Sequence, residues 1–316
     1  YQREFLVEDA DGKLVPAVDH VLRGGYMKGW TAEPGVWLDE AKTRRGLRSI
    51  LEQGSKAGQG HSDQWLAILA QCDLAPDQEI LVRGETFTMR DYVGQVLWDV
   101  PRNVQQEYSW TLIGLTTYLP TDHTWTASDG KQWSIEQLVR IEAEHDLHSS
   151  ACGGSHRLIG MTMALNRHLE QGGKIEGGWK LADQRIQDAI KTARAFQNPD
   201  GSFSINYFQR TGRSPDLAQN LGSTGHTLEF LTLAMTDEQL REPWVQRAAL
   251  NLCEIFRKTR DYPLECGALY HAAHGLVLYR HRLFGPRTYG QKEDPVEKAA
   301  AAPVSHQESP ALTQDR

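Results

Sequence analysis

The stretch Ser155-His156-Arg157-Leu158-Ile159-Gly160-Met161-Thr162-Met163-Ala164-Leu165 decides the fold. Wound as a helix, it leaves almost no polar face between Leu158 and Ala164. A helix apolar on nearly every side must be buried on nearly every side, so this segment reads as an inner helix. Four more segments repeat its pattern of a small or polar lead-in before an apolar run: Gly60-His61 to Ala70, Tyr108-Ser109 to Tyr118, Gly225-His226 to Met235 and Tyr270-His271 to Tyr279. The starts at 61, 109, 156, 226 and 271 are spaced by 48, 47, 70 and 45 residues, close to one helical hairpin with its loops. Val15, Val18 and Val21-Leu22, ahead of Gly24-Gly25, suggest a sixth inner helix over Pro16 to Arg23.

Between these segments lie charged, amphipathic stretches with the spacing of outer helices: Val36 to Gln53, Met89 to Val100, Trp133 to His145, Leu181 to Phe196 and Asp237 to Arg257. Thr88, Ser134 and Thr236 mark helix starts, the last followed by Gln239 as in a capping box. Gly54, Pro101 and Asn198-Pro199 mark ends. The expected fold is all-α, an α/α toroid of about five to six helical hairpins over residues 1–285, with an open superhelix of the same hairpins as the alternative. Residues 286–316, with Ala299-Ala300-Ala301-Ala302-Pro303 and almost no large apolar side chain, read as a disordered, low-complexity tail.

The chain has 316 residues, 40% of them apolar, enough for one large core. A formal charge of −7 with no basic stretch beyond Lys42-Thr43-Arg44-Arg45 argues against nucleic acid, and no apolar run is long enough for a transmembrane segment. Cys72, Cys152, Cys253 and Cys266 lack CxxC spacing and read as buried thiols or as one or two disulfides. The sequence begins at Tyr1 without an apolar leader, the pattern of an exported or periplasmic protein after processing, with a cytoplasmic location as the alternative. Oligomeric state is left open.

The 70-residue interval contains Gln197-Asn198-Pro199-Asp200-Gly201-Ser202-Phe203, with weaker relatives at Ser128-Asp129-Gly130-Lys131-Gln132-Trp133 and Gly177-Gly178-Trp179. It resembles the Gln-x-x-Asp-Gly-Ser-aromatic repeat of squalene and other terpenoid cyclases and of protein prenyltransferase β subunits. Tyr270-His271-Ala272-Ala273-His274-Gly275-Leu276 is similar to a stretch of the β subunits in which that His is a zinc ligand, and His271 occupies its position. The resemblance implies an α/α toroid, an isoprenoid-type ligand and zinc or another divalent metal as cofactor. The family's Asp-x-Cys and Asp-x-Asp-Asp motifs are absent.

Four equivalent histidines form the candidate site. If the ring closes, His61, His156, His226 and His271 face one mouth of a central cavity with Glu107 and Trp110, where imidazoles bind a metal, move protons or hold an anion. The catalytic candidates are His156, His226, His271, Glu107 and Cys152, the last one helical turn from His156 as in a thiol–imidazole pair. Ligand-binding candidates are His61, Trp110, Arg157, His274, Tyr207 and Arg210. Tyr207 and Arg210, near Asn206, have the side-chain types of toroidal polysaccharide lyases, so a lyase or epimerase acting on a saccharide stands beside an isoprenoid or other small-molecule ligand and a non-catalytic binding or scaffold module.

Overall fold

The computed structural model describes residues 5–51, 60–103 and 107–285; the tail expected at 286–316 lies outside them. The protein is mostly helical, with only short paired strands beside the helices. Its elements run β1 (Leu6–Glu8), β2 (Leu14–Pro16), α1 (Ala17–Leu22), β3 (Ala32–Trp37), β4 (Arg45–Ser49), α2 (Gln64–Ala70), β5 (Glu79–Val82), β6 (Glu85–Thr88), α3 (Met89–Asp99) and α4 (Ser109–Tyr118). They continue with β7 (Thr124–Thr126), β8 (Gln132–Ser134), α5 (Ile135–Glu144), α6 (Ser155–Glu170), α7 (Gly177–Ala195), α8 (Leu217–Ala234), α9 (Asp237–Leu240), α10 (Pro243–Lys258) and α11 (Cys266–Phe284). The strands form four antiparallel ribbons, each of two consecutive strands.

Two ribbons feed directly into outer helices. Arg83 and Gly84 turn the β5–β6 hairpin with positive φ, and Thr88 then ends the ribbon and caps α3 through a reciprocal pair with Asp91. Ser134 does the same for β8 and α5, its hydroxyl accepting from Gln137 N. The five apolar segments form a row: α2 packs on α4, α4 on α6, α6 on α8, and α8 on α11. Outer helices lie against this row, α5 on α4 and α6, α7 on α6, and α10 on α8 and α11. Helix α1 packs on β1, β2 and β5 instead of extending the row as the sixth inner helix expected over 16–23.

The outer helix expected over Val36 to Gln53 is instead the β3–β4 ribbon. Asp39 makes the turn: its carboxylate accepts from Thr43 N, Thr43 Oγ1 and Arg44 N at 2.7–2.9 Å, and Lys42 takes the left-handed conformation. Gly35 and Gly46 let the ribbon lie on Gln95, whose Oε1 accepts from Val36 N; a Cβ at either glycine would overlap that amide. The Asp200-Gly201 turn pins neighbouring elements together. Gln197 donates to the carbonyls of Gly201 and Trp244, and Phe203 is buried edge-on to Trp244 with 6.0 Å between rings. Gly201, at φ 89°, sits against the Arg247 carbonyl where no side chain fits.

Candidate functional site

The entry to α6 is a strained turn. Cys152, Gly153 and Gly154 are all left-handed, at φ 49°, 61° and 80°. A Cβ on Gly153 would overlap the Tyr207 ring, so glycine is needed for the approach. Tyr207 is itself left-handed at φ 52°. Two non-glycine residues in this conformation, side by side at a helix N-terminus, store strain of the kind concentrated at functional sites. The turn brings the Cys152 thiol within 4.8 Å of ring nitrogens of His156 and His226.

Close helix packing brings the other rings in. Gly225 faces the backbone of Ala272, where a Cβ would come within 2.8 Å, and Gly275 faces the backbone of Glu229. Helices α8 and α11 therefore touch nearly backbone to backbone, and His226 and His271 lie with ring centres 3.7 Å apart. Gly160 does the same for α6 against Ser109 of α4. His156 sits at the middle, 4.6 Å from His61, 5.2 Å from His226, 5.1 Å from His271 and 5.3 Å from Trp110 between ring centres. His226 and His271 lie well inside their helices rather than at the starts expected from the repeat, because Asp216 and Glu265 cap α8 and α11 further upstream.

Most of these rings have a fixed tautomer. His226 Nδ1 lies 2.7 Å from the Gly222 carbonyl, His271 Nδ1 2.5 Å from Glu229 Oε2, and His274 Nδ1 2.6 Å from Glu229 Oε1. His61 Nδ1 lies 2.5 Å from Glu107 Oε1. Carbonyl and carboxylate oxygens only accept, so Nδ1 of His226, His271 and His274 donates and Nε2 of the neutral ring keeps a lone pair, whereas the His61–Glu107 contact is an ion-pair distance without hydrogen-bond alignment. His156 differs. It is 3% exposed, its Nδ1 is 3.5 Å from Glu107 Oε1, and among the described residues neither ring nitrogen has a hydrogen-bond partner. Trp110 Nε1 is likewise buried without a partner. The cavity between Trp110, His156, Tyr270 and His271 is about 10 Å³, room for one water-sized group.

Burial lowers the pKa of His156 against the opposing pull of Glu107, and lowers that of His226 further, with the fields of His271 and His156 adding to it. The carboxylates move the opposite way from what burial alone would do. The fields of His156 and His61 hold Glu107 well below the usual range, and His271 and His274 bring Glu229 down to about 2. Because Glu229 is depressed below its unfolded value near 4.5, the stability it contributes is fully present above that value and is lost as pH falls toward about 2. Acid unfolding followed by circular dichroism should show this: Glu229→Gln flattens the stability loss between those pH values by on the order of 3 kcal/mol, whereas an unchanged acid limb would deny the Glu229 link.

Behind the rings sits a second buried pair. Glu142, 0% exposed, accepts from Arg157 Nη1 at 2.6 Å, Tyr108 N at 2.8 Å and Ser109 Oγ at 3.1 Å. Burial pushes its pKa up to about 7 against the lowering field of Arg157. Arg157 also donates from Nε to Ser150 Oγ at 2.7 Å. Expected as a ligand-binding residue, Arg157 is engaged by Glu142 and Ser150 and ties the residues next to Glu107 and His156 to α5.

The structure thus brings together His61, Glu107, Trp110, Cys152, His156, Tyr207, His226 and His271. His274 stands behind His271 on the shared carboxylate. Arg210 does not join them: it is exposed on the turn after Phe208, where only its carbonyl is engaged, by Ser204 Oγ. Burial, with the fields of Glu107 and Glu265, raises Cys152 to about 11, so by itself it stays a thiol at neutral pH and is no activated nucleophile. All four cysteines are free thiols. Glu229, Tyr270 and Glu142 were not anticipated; the signal available was a single acid, Glu229, inside the otherwise apolar run Leu228–Leu231.

The zinc set implied by the prenyltransferase resemblance does not fit these residues. His271 is in place, but α8 carries no Asp-x-Cys. Two other donor sets meet at His156: Cys152, His156 and His226, and His61, Glu107 and His156, each with its donor atoms within 4.8 Å of one another. Among the described residues no helix is long and apolar enough to cross a membrane. No family model matches the chain, and no curated protein or solved structure matches it.

Proposed function

We propose that the inner helices close into an α/α toroid and that the histidines at its centre form a binding and proton-transfer site of an enzyme acting on a small molecule. Closure is supported by Trp110 of α4 and His271 of α11, whose ring centres are 6.2 Å apart although three steps of the row separate their helices. In a straight solenoid, with about 8–10 Å between neighbouring helix axes, such residues would be more than 20 Å apart. The reading of the site rests on His156. A buried polar group without a partner costs about 1–3 kcal/mol, and here both nitrogens of one ring are in that state among the described residues, beside rings whose Nδ1 atoms are already engaged. Such ring nitrogens suit a ligand that brings a proton or a positive charge, and the imidazoles then serve as bases. The small cavity favours a compact ligand over an isoprenoid or a saccharide.

Replacing His156 by Leu tests this. If the ring is retained for chemistry at a cost to stability, His156→Leu raises the melting temperature of the ligand-free protein by a few degrees. The same variant loses the stabilisation that millimolar phosphate or ammonium gives the unaltered chain. A melting temperature several degrees lower, with no solute effect on either protein, would make His156 a packing residue.

A further inference from the structure

We propose that Cys152 Sγ, His156 and His226 are three protein ligands of a transition-metal ion of the zinc class. The assignment rests on the reading of the histidine centre as a site and gives it a metal. It starts from geometry: the three donor atoms lie within 4.8 Å of one another at the N-terminal end of α6. Bonds of about 2.0–2.3 Å in a tetrahedral zinc site place donors roughly 3.3–3.8 Å apart, so side-chain adjustment closes the set.

Each ligand is prepared in a different way. His156 has two buried nitrogens without a partner among the described residues, and a cation satisfies what no donor there does. His226 has its Nδ1 committed to the Gly222 carbonyl, the outer contact that fixes a metal-binding ring and leaves Nε2 as the donor. Cys152 is set by the left-handed Cys152-Gly153-Gly154 turn, a strained arrangement that a structural thiol does not need. Tyr207, against Gly153 and with its ring centre 6.2 Å from that of His226, walls the same space.

The chemistry of the set selects the ion. One thiolate and two imidazoles suit zinc, and cobalt(II) as its spectroscopic substitute, and disfavour magnesium or calcium, which take oxygen ligands. On binding, the Cys152 S–H proton is released to solvent and the thiolate forms the metal bond, with no change of oxidation state. Three protein ligands leave a fourth position for water or substrate, as in catalytic rather than structural zinc sites. The competing set, His61, Glu107 and His156, has a carboxylate in ion-pair contact with His61 Nδ1 and contains no sulfur.

The test uses the full chain, dialysed against chelator and then titrated with Zn²⁺ and with Co²⁺. Expected are one ion per chain by elemental analysis and, with Co²⁺, the intense near-ultraviolet band of thiolate-to-cobalt charge transfer. Cys152→Ser abolishes the band, and His156→Ala and His226→Gln each weaken Zn²⁺ binding by about a hundredfold or more. His168→Ala, whose ring stacks on Trp179 away from the site, leaves binding unchanged. If a variant fails to fold by circular dichroism, the cobalt spectrum of the unaltered chain decides the sulfur ligand. Absence of stoichiometric binding overturns the proposal, and so does bound cobalt without the band, which would point to the His61 and Glu107 set. If Zn²⁺ fails while His156→Leu still gains stability and loses the phosphate or ammonium effect, the metal falls and the proton-transfer reading stands.

Discussion

Glu142→Ala should destabilise the protein by about 3–5 kcal/mol in urea denaturation, because it leaves the Arg157 guanidinium buried without its carboxylate. Tyr108 N and Ser109 Oγ lose the same acceptor. The double variant Glu142→Leu/Arg157→Met should recover much of that loss, since a buried ion pair replaced by apolar side chains of similar volume is close to neutral. The pair's role is therefore one of placement. It holds Tyr108 and Ser109, which follow Glu107, and the first turn of α6 to the same point on α5, so the double variant should fold yet show weaker ligand stabilisation. A Glu142→Ala variant within 1 kcal/mol of the unaltered chain would mean that the pair is solvated and does not organise the site.

The second large effect lies where α8 meets α11. Gly225→Val sets a branched side chain against the backbone of Ala272, where even a Cβ would stand 2.8 Å from the N and Cα atoms. Backbone cannot give as a side-chain end can, so the helices must separate, at a cost of about 3 kcal/mol. His226 and His271 separate with them. Gly222, one turn earlier on the same helix, is the control: a Cβ there meets only Ala268 Cβ at 3.8 Å, an ordinary contact. Gly222→Ala should be neutral or stabilise by up to about 1 kcal/mol through helix propensity. Opposite signs for two glycines three residues apart would confirm close helix approach, and equal effects would refute it.

The inner segments were legible because burial on all sides leaves a compositional mark: Leu158 to Ala164 has no outer face to colour with charge. Helix ends were less so. The repeat was measured from its histidines, and a histidine carries no information about where a helix begins; the caps Asp216 and Glu265 do, and they move two of the starts upstream. The β3–β4 ribbon was misread since Trp37, Leu38, Ala41 and Leu47 happen to fall at helical spacing, while the deciding facts, an Asp39 turn and two glycines under Gln95, involve a partner on another element. Candidate residues named from position in the repeat, His61, His156, His226 and His271, converge. Arg210, named for its side-chain type alone, lies elsewhere. Glu229 orients two rings, but its own helix does not show it, because the groups that neutralise it, His271 and His274, lie on α11.

Tautomer state is the most direct probe of the site, since the claim is that acceptors on Nδ1 fix these rings and leave Nε2 of His226 to take up an ion. Long-range ¹H–¹⁵N correlation spectra of the histidine rings at neutral pH report it residue by residue. The account predicts the Nδ1–H tautomer, the minor form of free imidazole, for His226, His271 and His274, with Nε2 of His226 unprotonated and shifting when Zn²⁺ is added. Nε2–H tautomers on these rings, insensitive to added ion, would contradict it.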